Sequence, residues 1–590
     1  MTQGNISYQW ALAFIHALVH AGVRHFVAAP GSRSTPLILA ALSHPQIALH
    51  MHVDERTAAF FALGAARATG DPAAVIATSG SAAAHFHPAA IEASMAGIPL
   101  LLLTADRPTE DQNKGTMQTI DQTKIFGDTA RAFFAAPHIA DTPHALRQAS
   151  VLAVRATAAS RHPLPGPVHI NLPFAQPLEP DASTLAASAD AIADAIANAP
   201  WQPRVALPRQ TPLPDDLQYA AHALDAHPQG WIVCGPNWDF AADSPSIDTL
   251  RSLATTLDYP VFTEVTSGLV THDDDDDIYT GGLDFVSRVA LANDAFAPTC
   301  ILELGGSLTS GAYQRFVADQ PNICRIVLSP HQLRDPHDTA HALLLGDLAL
   351  AMAQLAKRCA PRRRTAPSWR DHMHKAVAHW RRSTEAALRS PHFHEGHICR
   401  AVSQSVRPDI ALCIGNSLAL RDLDLFAHFT NAPHRVLHQR GASGIDGLIS
   451  GAAGAHSALA RPTIALIGDR SALHDVGGLA ALPQSGPPLI IALIQNHGGR
   501  IFEQLPLAQS AVPQTWQRDA FVIPQGPSWK HLARAFSLPY LCAQSETELA
   551  QALAQRLEQP GAAIIEAIVT HPNSRPWRTA LYAQAAALTP

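Results

Sequence analysis

Short, nearly continuous apolar runs alternate along this chain with stretches whose apolar residues recur at helical spacing. That rhythm predicts parallel strands buried on both faces and covered by helices, the α/β class. Three blocks show it. The first, from about Ser7 to Pro180, predicts strands at His25–Ala28, Ala74–Thr78, Leu100–Thr104 and Val168–Leu172. The second, from about Asp215 to Ala360, predicts strands at Trp231–Cys234, Cys300–Leu304 and Arg325–Leu328. The third, from about Trp369 onward, predicts strands at Ile410–Ile414, Thr463–Ile467, Leu489–Ile494 and Ala563–Val569. Pro180–Pro214, rich in Ala, Asp and Pro, reads as linker plus a helix, and the basic run Pro361–Pro367 as an exposed hinge. Three doubly wound parallel-sheet domains are therefore expected, residues 1–180, 215–360 and 369–590, joined by linkers 181–214 and 361–368. The aspartate run Asp273–Asp277 reads as a solvated loop, because a calcium loop needs interspersed ligands and a turn glycine.

At 590 residues the chain exceeds what one hydrophobic core accommodates. A net charge of -7 gives no basic surface for nucleic acid or an anionic membrane. No stretch reaches the roughly 20 uninterrupted apolar residues of a membrane span. Met1–Trp10 lacks the basic start and apolar core of a signal peptide, so a cytoplasmic protein is expected. The seven cysteines form no CxxC pair and several fall in apolar strands, which favours buried free thiols over disulfides or zinc sites. The 32 histidines include no HExxH spacing.

Candidate chemistry concentrates in the third block. Gly468-Asp469-Arg470-Ser471-Ala472 follows one predicted strand and Gln495-Asn496-His497-Gly498-Gly499 follows the next, which should set Asp469 beside Asn496 at the carboxyl ends of parallel strands. That edge of an open α/β sheet is where ligands bind. A carboxylate, an amide oxygen and the backbone carbonyl of Gly498 form an all-oxygen set suited to Mg²⁺ or Mn²⁺ with a diphosphate as the remaining ligand. The spacing resembles the signature of thiamine-diphosphate enzymes. Such an enzyme also needs a glutamate at the cofactor's pyrimidine ring, and Glu55 in the first block, opening a helix after the strand-like His50–Val53, is the candidate. Read alone, Asp54-Glu55-Arg56 is an acidic helix start of the kind the helix dipole favours.

Further segments narrow the family. Pro30-Gly31-Ser32-Arg33-Ser34-Thr35-Pro36-Leu37, Asp54-Glu55-Arg56, Thr78-Ser79-Gly80-Ser81, Leu103-Thr104-Ala105-Asp106-Arg107-Pro108, Gly415-Asn416-Ser417 and Arg440-Gly441-Ala442-Ser443-Gly444-Ile445-Asp446-Gly447 together resemble the MenD family. These are thiamine-diphosphate-dependent 2-succinyl-5-enolpyruvyl-6-hydroxy-3-cyclohexene-1-carboxylate (SEPHCHC) synthases of menaquinone biosynthesis. The resemblance covers most of the first and third blocks and implies a pyruvate-oxidase-like architecture of pyrimidine-binding, central and diphosphate-binding domains. It implies decarboxylation of 2-oxoglutarate and addition of the succinyl unit to isochorismate by a homodimer or homotetramer. Glu55 is then the catalytic carboxyl group. Ser443, Ile445, Asp469, Ser471, Ala472 and Asn496 join it in holding the cofactor, with Asp469, Asn496 and Gly498 on the metal. Both substrates carry two carboxylates, which planar guanidinium forks bind bidentately. The matching motifs assign that role to Arg33, Arg107, Arg421 and Arg440, with Ser32, Gln118 and Ser417 adding neutral hydrogen bonds and Ile501, Phe502 and Leu505 lining the pocket.

One departure stands out. A lysine that the family carries in the middle block is missing where Gly305-Gly306-Ser307-Leu308-Thr309-Ser310 continues as Gly311-Ala312-Tyr313, and the next basic residue is Arg315. Either Arg315 substitutes from the next helical turn or the second-substrate site is altered, which raises a thiamine-diphosphate carboligase with a different acceptor as the alternative; a cofactor-binding relative without turnover is the rival from outside enzymes. The glycine series Gly447, Gly451, Gly454 also invites a nicotinamide-binding reading, but lacks the GxGxxG spacing after a strand.

Overall fold

The computed structural model describes residues 2–187, 203, 205–236, 246–271, 277–361, 367–571 and 573–589. Most of the aspartate run, most of the basic hinge and part of the first linker lie outside the described residues. Eighteen strands appear among those described, in three six-stranded sheets whose neighbouring strands all pair in parallel.

The first sheet comprises β1 (His25–Ala28), β2 (Ala48–Met51), β3 (Ala73–Ala77), β4 (Leu100–Asp106), β5 (Ala132–Ala135) and β6 (Pro167–Pro173), in the order β2-β1-β3-β4-β6-β5. The second comprises β7 (Gly230–Cys234), β8 (Val261–Thr263), β9 (Ile278–Thr280), β10 (Cys300–Leu304), β11 (Cys324–Ser329) and β12 (Ala342–Leu345), ordered β12-β11-β10-β7-β8-β9. The third comprises β13 (Ala411–Ile414), β14 (Arg435–His438), β15 (Thr463–Gly468), β16 (Leu489–Gln495), β17 (Tyr540–Ala543) and β18 (Ala562–Ile568), ordered β14-β13-β15-β16-β18-β17. Central strands such as β3, β4, β10 and β16 are buried along their whole length, as their unbroken apolar runs require. Each sheet has a switch point where consecutive connections run off in opposite directions, between β1 and β3, β7 and β10, and β13 and β15. Those switch points open crevices at the carboxyl ends of the strands, where doubly wound sheets receive ligands.

Two compact units contain these sheets. One holds residues 1–208 together with 439–460 and 474–482; the other holds 209–438, 461–473 and 483–590. The second unit packs the β7–β12 and β13–β18 sheets on a shared core that includes Trp231, Phe262, Phe285, Trp380, Leu412 and Ile490. Polar contacts add to it: Asp424 accepts from the Val265 amide at 2.7 Å, and the buried pair Arg578–Asp422 is bidentate.

In the first unit the helix Leu448–Leu459 lies against the helix Glu55–Thr69 at a distance only glycine allows. A Cβ on Gly64 would stand 1.9 Å from the Gly451 carbonyl oxygen, and one on Gly454 would stand 1.9 Å from that of Phe61. The glycine series that invites a nucleotide-binding reading is thus a helix-packing surface. No described helix is long and apolar enough to cross a membrane.

Gly64→Ala should separate these helices and lower stability by about 1–3 kcal/mol. Chemical denaturation measures this, and an unchanged midpoint would remove the close crossing from the account.

Candidate functional site

In the first unit, Asp54 caps the helix Glu55–Thr69 by accepting from the amides of Arg56 at 2.8 Å and Thr57 at 3.4 Å. Capping is therefore done by Asp54, and the half-buried Glu55 beside it keeps its carboxylate for other partners. The loop following β14 belongs to the same unit. There Arg440 is half-buried, Ser443 has a left-handed φ of 65°, and Ile445 is 38% exposed, a large apolar side chain left partly uncovered.

A buried acid holds that loop. Glu92, on the helix His87–Ala96, accepts from the amides of Gly441 at 2.8 Å, Ala442 at 2.6 Å and Ser443 at 3.3 Å. Burial lifts the Glu92 carboxyl above the usual range, while Arg67 and the three amides pull it back. Sequence reasoning missed Glu92. Its signal was one acid within an otherwise apolar helix, Ala89-Ala90-Ile91-Glu92-Ala93.

At the carboxyl edge of the first sheet the structure brings Arg33, Arg107 and Gln118 together. Arg33 is buried and donates to the Phe174 carbonyl at 2.6 Å. Arg107 donates to Ser79 Oγ and, at 2.6 Å, to the carbonyl of Gln118. The Gln118 side chain returns to the Ser79 carbonyl at 3.1 Å. Burial, followed by the nearby Arg107 charge, holds the Arg33 guanidinium below its ordinary proton affinity. Ser32 is exposed at the turn just before Arg33.

In the second unit, β15 and β16 pair with Gly468 opposite Ile494, so Asp469 and Asn496 leave adjacent strand ends. Asp469 is buried and accepts from the Gly498 amide at 2.9 Å. Burial raises its carboxyl, against the neighbouring Arg470 guanidinium. Gly498 has a φ of 129°, and a Cβ there would meet the Val522 carbonyl oxygen at 2.3 Å, so both backbone and space require glycine. Asn496 donates through Nδ2 to Glu395 Oε1 at 3.0 Å, which leaves its amide oxygen as the atom available to a cation. Glu395 is fully buried, and that burial raises its carboxyl against the pull of Arg578. The sequence reading passed over Glu395 because nothing in His394-Glu395-Gly396 forms a motif. Ser471 and Ala472 are buried in the short helix Asp469–His474.

The remaining second-unit candidates occupy two places. Ser417 follows β13 in a rare conformation, φ 71° and ψ -128°, and its carbonyl accepts from Arg421 at 2.7 Å. Such strain in a non-glycine residue persists only where surrounding structure imposes it. Ile501 and Phe502 lie half-buried in the turn Arg500–Gln504, with the Phe502 ring 5.5 Å from Phe521, and Leu505 is exposed beside them. Arg315 lies on the helix Gly311–Asp319 as an exposed ion pair with Asp319 at 3.2 Å, a surface role.

The donor atoms at Asp469, Asn496 and Gly498 are all oxygens on adjacent strand ends. That set fits a hard divalent cation carrying a diphosphate.

Two family models match this chain. Residues 9–125 match the thiamine pyrophosphate enzyme N-terminal TPP binding domain, and residues 422–567 match the C-terminal TPP binding domain. Across nearly the whole chain it is similar to proteins named 2-succinyl-5-enolpyruvyl-6-hydroxy-3-cyclohexene-1-carboxylate synthase. That of Sorangium cellulosum is 38% identical over 96% of this chain and 94% of the relative. That of Roseiflexus castenholzii is 36% identical over 96% of each, and that of Geobacillus kaustophilus 35% over 85% of each.

Glu92→Gln sets an amide donor against the backbone donors of residues 441–443. An unsatisfied buried donor costs about 1–3 kcal/mol, so affinity for thiamine diphosphate should fall roughly 5- to 150-fold. Calorimetric titration measures it; wild-type affinity would dissociate Glu92 from the cofactor.

Proposed function

Because this chain belongs to the SEPHCHC synthase family of thiamine-diphosphate enzymes, we propose that it decarboxylates 2-oxoglutarate and joins the four-carbon remainder to isochorismate, releasing CO₂. The observation that carries the substrate assignment is the gathering of Arg33 and Arg107 at one strand edge. Two guanidinium groups close enough for the charge of Arg107 to act on Arg33 are stabilised by an anionic ligand. Dicarboxylates supply that charge.

When bound, thiamine diphosphate supplies the nucleophilic carbon, its thiazolium C2 after loss of a proton. Glu55 holds a proton at the pyrimidine ring nitrogen, a task its carboxylate is left to perform because Asp54 makes the helix cap. Asp469, Asn496 and the Gly498 carbonyl hold Mg²⁺ or Mn²⁺, with Glu395 orienting the Asn496 amide. Ser471 and Ala472 offer backbone amides to the diphosphate, and Ser443 and Ile445 hold the cofactor's middle. Arg33, Arg107, Arg421 and Arg440 bind substrate carboxylates, with Ser32, Gln118 and Ser417 adding hydrogen bonds. Ile501, Phe502 and Leu505 exclude water from the acceptor. Fixed positive charge in a site closed to water orients both substrates before bonds change.

In this reading residues 1–180 form the pyrimidine-binding domain, 215–360 the central domain and 369–590 the diphosphate-binding domain. The protein works in the cytoplasm as a homodimer or a homotetramer built from dimers, because the family resemblance implies a cofactor shared between protomers.

Purified protein with thiamine diphosphate, Mg²⁺ and 2-oxoglutarate should consume isochorismate and release CO₂ in equal amounts. CO₂ release with isochorismate untouched would keep the cofactor chemistry and replace the acceptor. Glu55→Gln should fold and lose at least about 100-fold in kcat, the scale of one positioned acid–base group. Wild-type turnover would refute its role.

A further inference from the structure

Sheet register creates in the second unit a cluster absent from the sequence pattern. Cys300 opens β10 and Cys324 opens β11, and the two are direct partners across the parallel pair. Both are buried. His227, just before β7, completes the group, and its ring nitrogen and the two Sγ atoms all lie within 4.8 Å of one another. These residues mark the amino-terminal edge of the middle sheet, the edge opposite that used by ligands in doubly wound folds.

From this juxtaposition we propose that His227, Cys300 and Cys324 form a binding site for a soft or borderline divalent cation of the zinc class, separate from the oxygen-lined cofactor site. Two features support it. The donor set is one imidazole and two thiols, the chemistry that selects zinc over magnesium. The His227 Nδ1 lies 2.7 Å from the Ala223 carbonyl oxygen, which only accepts, so Nδ1 carries the proton and Nε2 keeps the lone pair, the tautomer that ligation through Nε2 requires.

The binding step balances simply. Cys300 and Cys324 release their protons to solvent, their two negative charges neutralise the dication, and Nε2 of His227 donates a lone pair. A tetrahedral ion with bonds of about 2.3 Å to sulfur and about 2.0 Å to nitrogen needs ligand separations of about 3.6–3.8 Å, a contraction that side-chain rotation supplies. Water takes the fourth position, entering beside the half-buried His227. The oxygen-lined site yields no thiolate signal, so the two sites are distinguishable.

The test titrates Co²⁺ into reduced, metal-depleted full-length protein resaturated with thiamine diphosphate and Mg²⁺. A near-ultraviolet thiolate-to-cobalt absorption should rise to one equivalent per chain and be displaced by Zn²⁺. Cys324→Ser and Cys300→Ser should each abolish or shift that band, His227→Gln should weaken binding at least tenfold, and Cys542→Ser should change nothing. Circular dichroism confirms folding, and Cys324→Ser, at the less buried position, decides the matter if Cys300→Ser does not fold. Absence of the band in wild-type protein, or the same band in Cys324→Ser, overturns the proposal.

Discussion

Backbone contact between the helices Glu55–Thr69 and Leu448–Leu459 is the constraint on which the first unit depends. The helices meet where Gly64 faces Gly451 and Gly454 faces Phe61, with no room for a Cβ. The crossing joins residues separated by almost four hundred positions, and two chemical segments of this unit issue from it. Glu55 begins one helix, and the loop carrying Arg440, Ser443 and Ile445 leads into the other. Glu92 reinforces the arrangement by drawing three loop amides onto one carboxylate. Removing that acceptor leaves buried donors exposed to no partner, which is costlier than the bonds themselves are stabilising.

The second unit solves a related problem with strand register. Parallel pairing of β15 with β16 delivers Asp469 and Asn496 to neighbouring strand ends, and the Gly498 turn closes back on Asp469. Glu395 then selects which atom of the Asn496 amide is spent on protein and which is left for a cation. Behind Glu395 lies the buried Arg578–Asp422 pair, so the candidate metal ligand Asn496 rests on a charged network whose members compensate one another.

Central strands were legible in the sequence because burial on both faces writes an unbroken apolar run. Each strand predicted from such a run is present, with ends shifted by a residue or two. The strands that sequence reading passed over, β5, β9, β12, β14 and β17, lie at sheet edges, and β8 spans only Val261–Thr263. An edge strand is covered on fewer sides, as the half-exposed Ala132–Ala135 shows, and loses the apolar signature. β2 was expected around His50–Val53 and is found at Ala48–Met51. Site residues were legible where a turn needs particular chemistry, as at Gly468-Asp469 and Asn496-His497-Gly498. Supporting acids such as Glu92 and Glu395 were not, because their partners lie far away in sequence. The same holds for Cys300 and Cys324, which spacing separates and register reunites.

Crystals of the protein grown with thiamine diphosphate and Mg²⁺ would reveal the ligands of the metal and the partner of the pyrimidine ring. The metal should lie between the Asp469 carboxylate, the Asn496 amide oxygen and the Gly498 carbonyl, with a Glu55 carboxylate on the pyrimidine ring nitrogen. A metal held by other residues, or a pyrimidine ring with Glu55 out of hydrogen-bond reach, would contradict that arrangement.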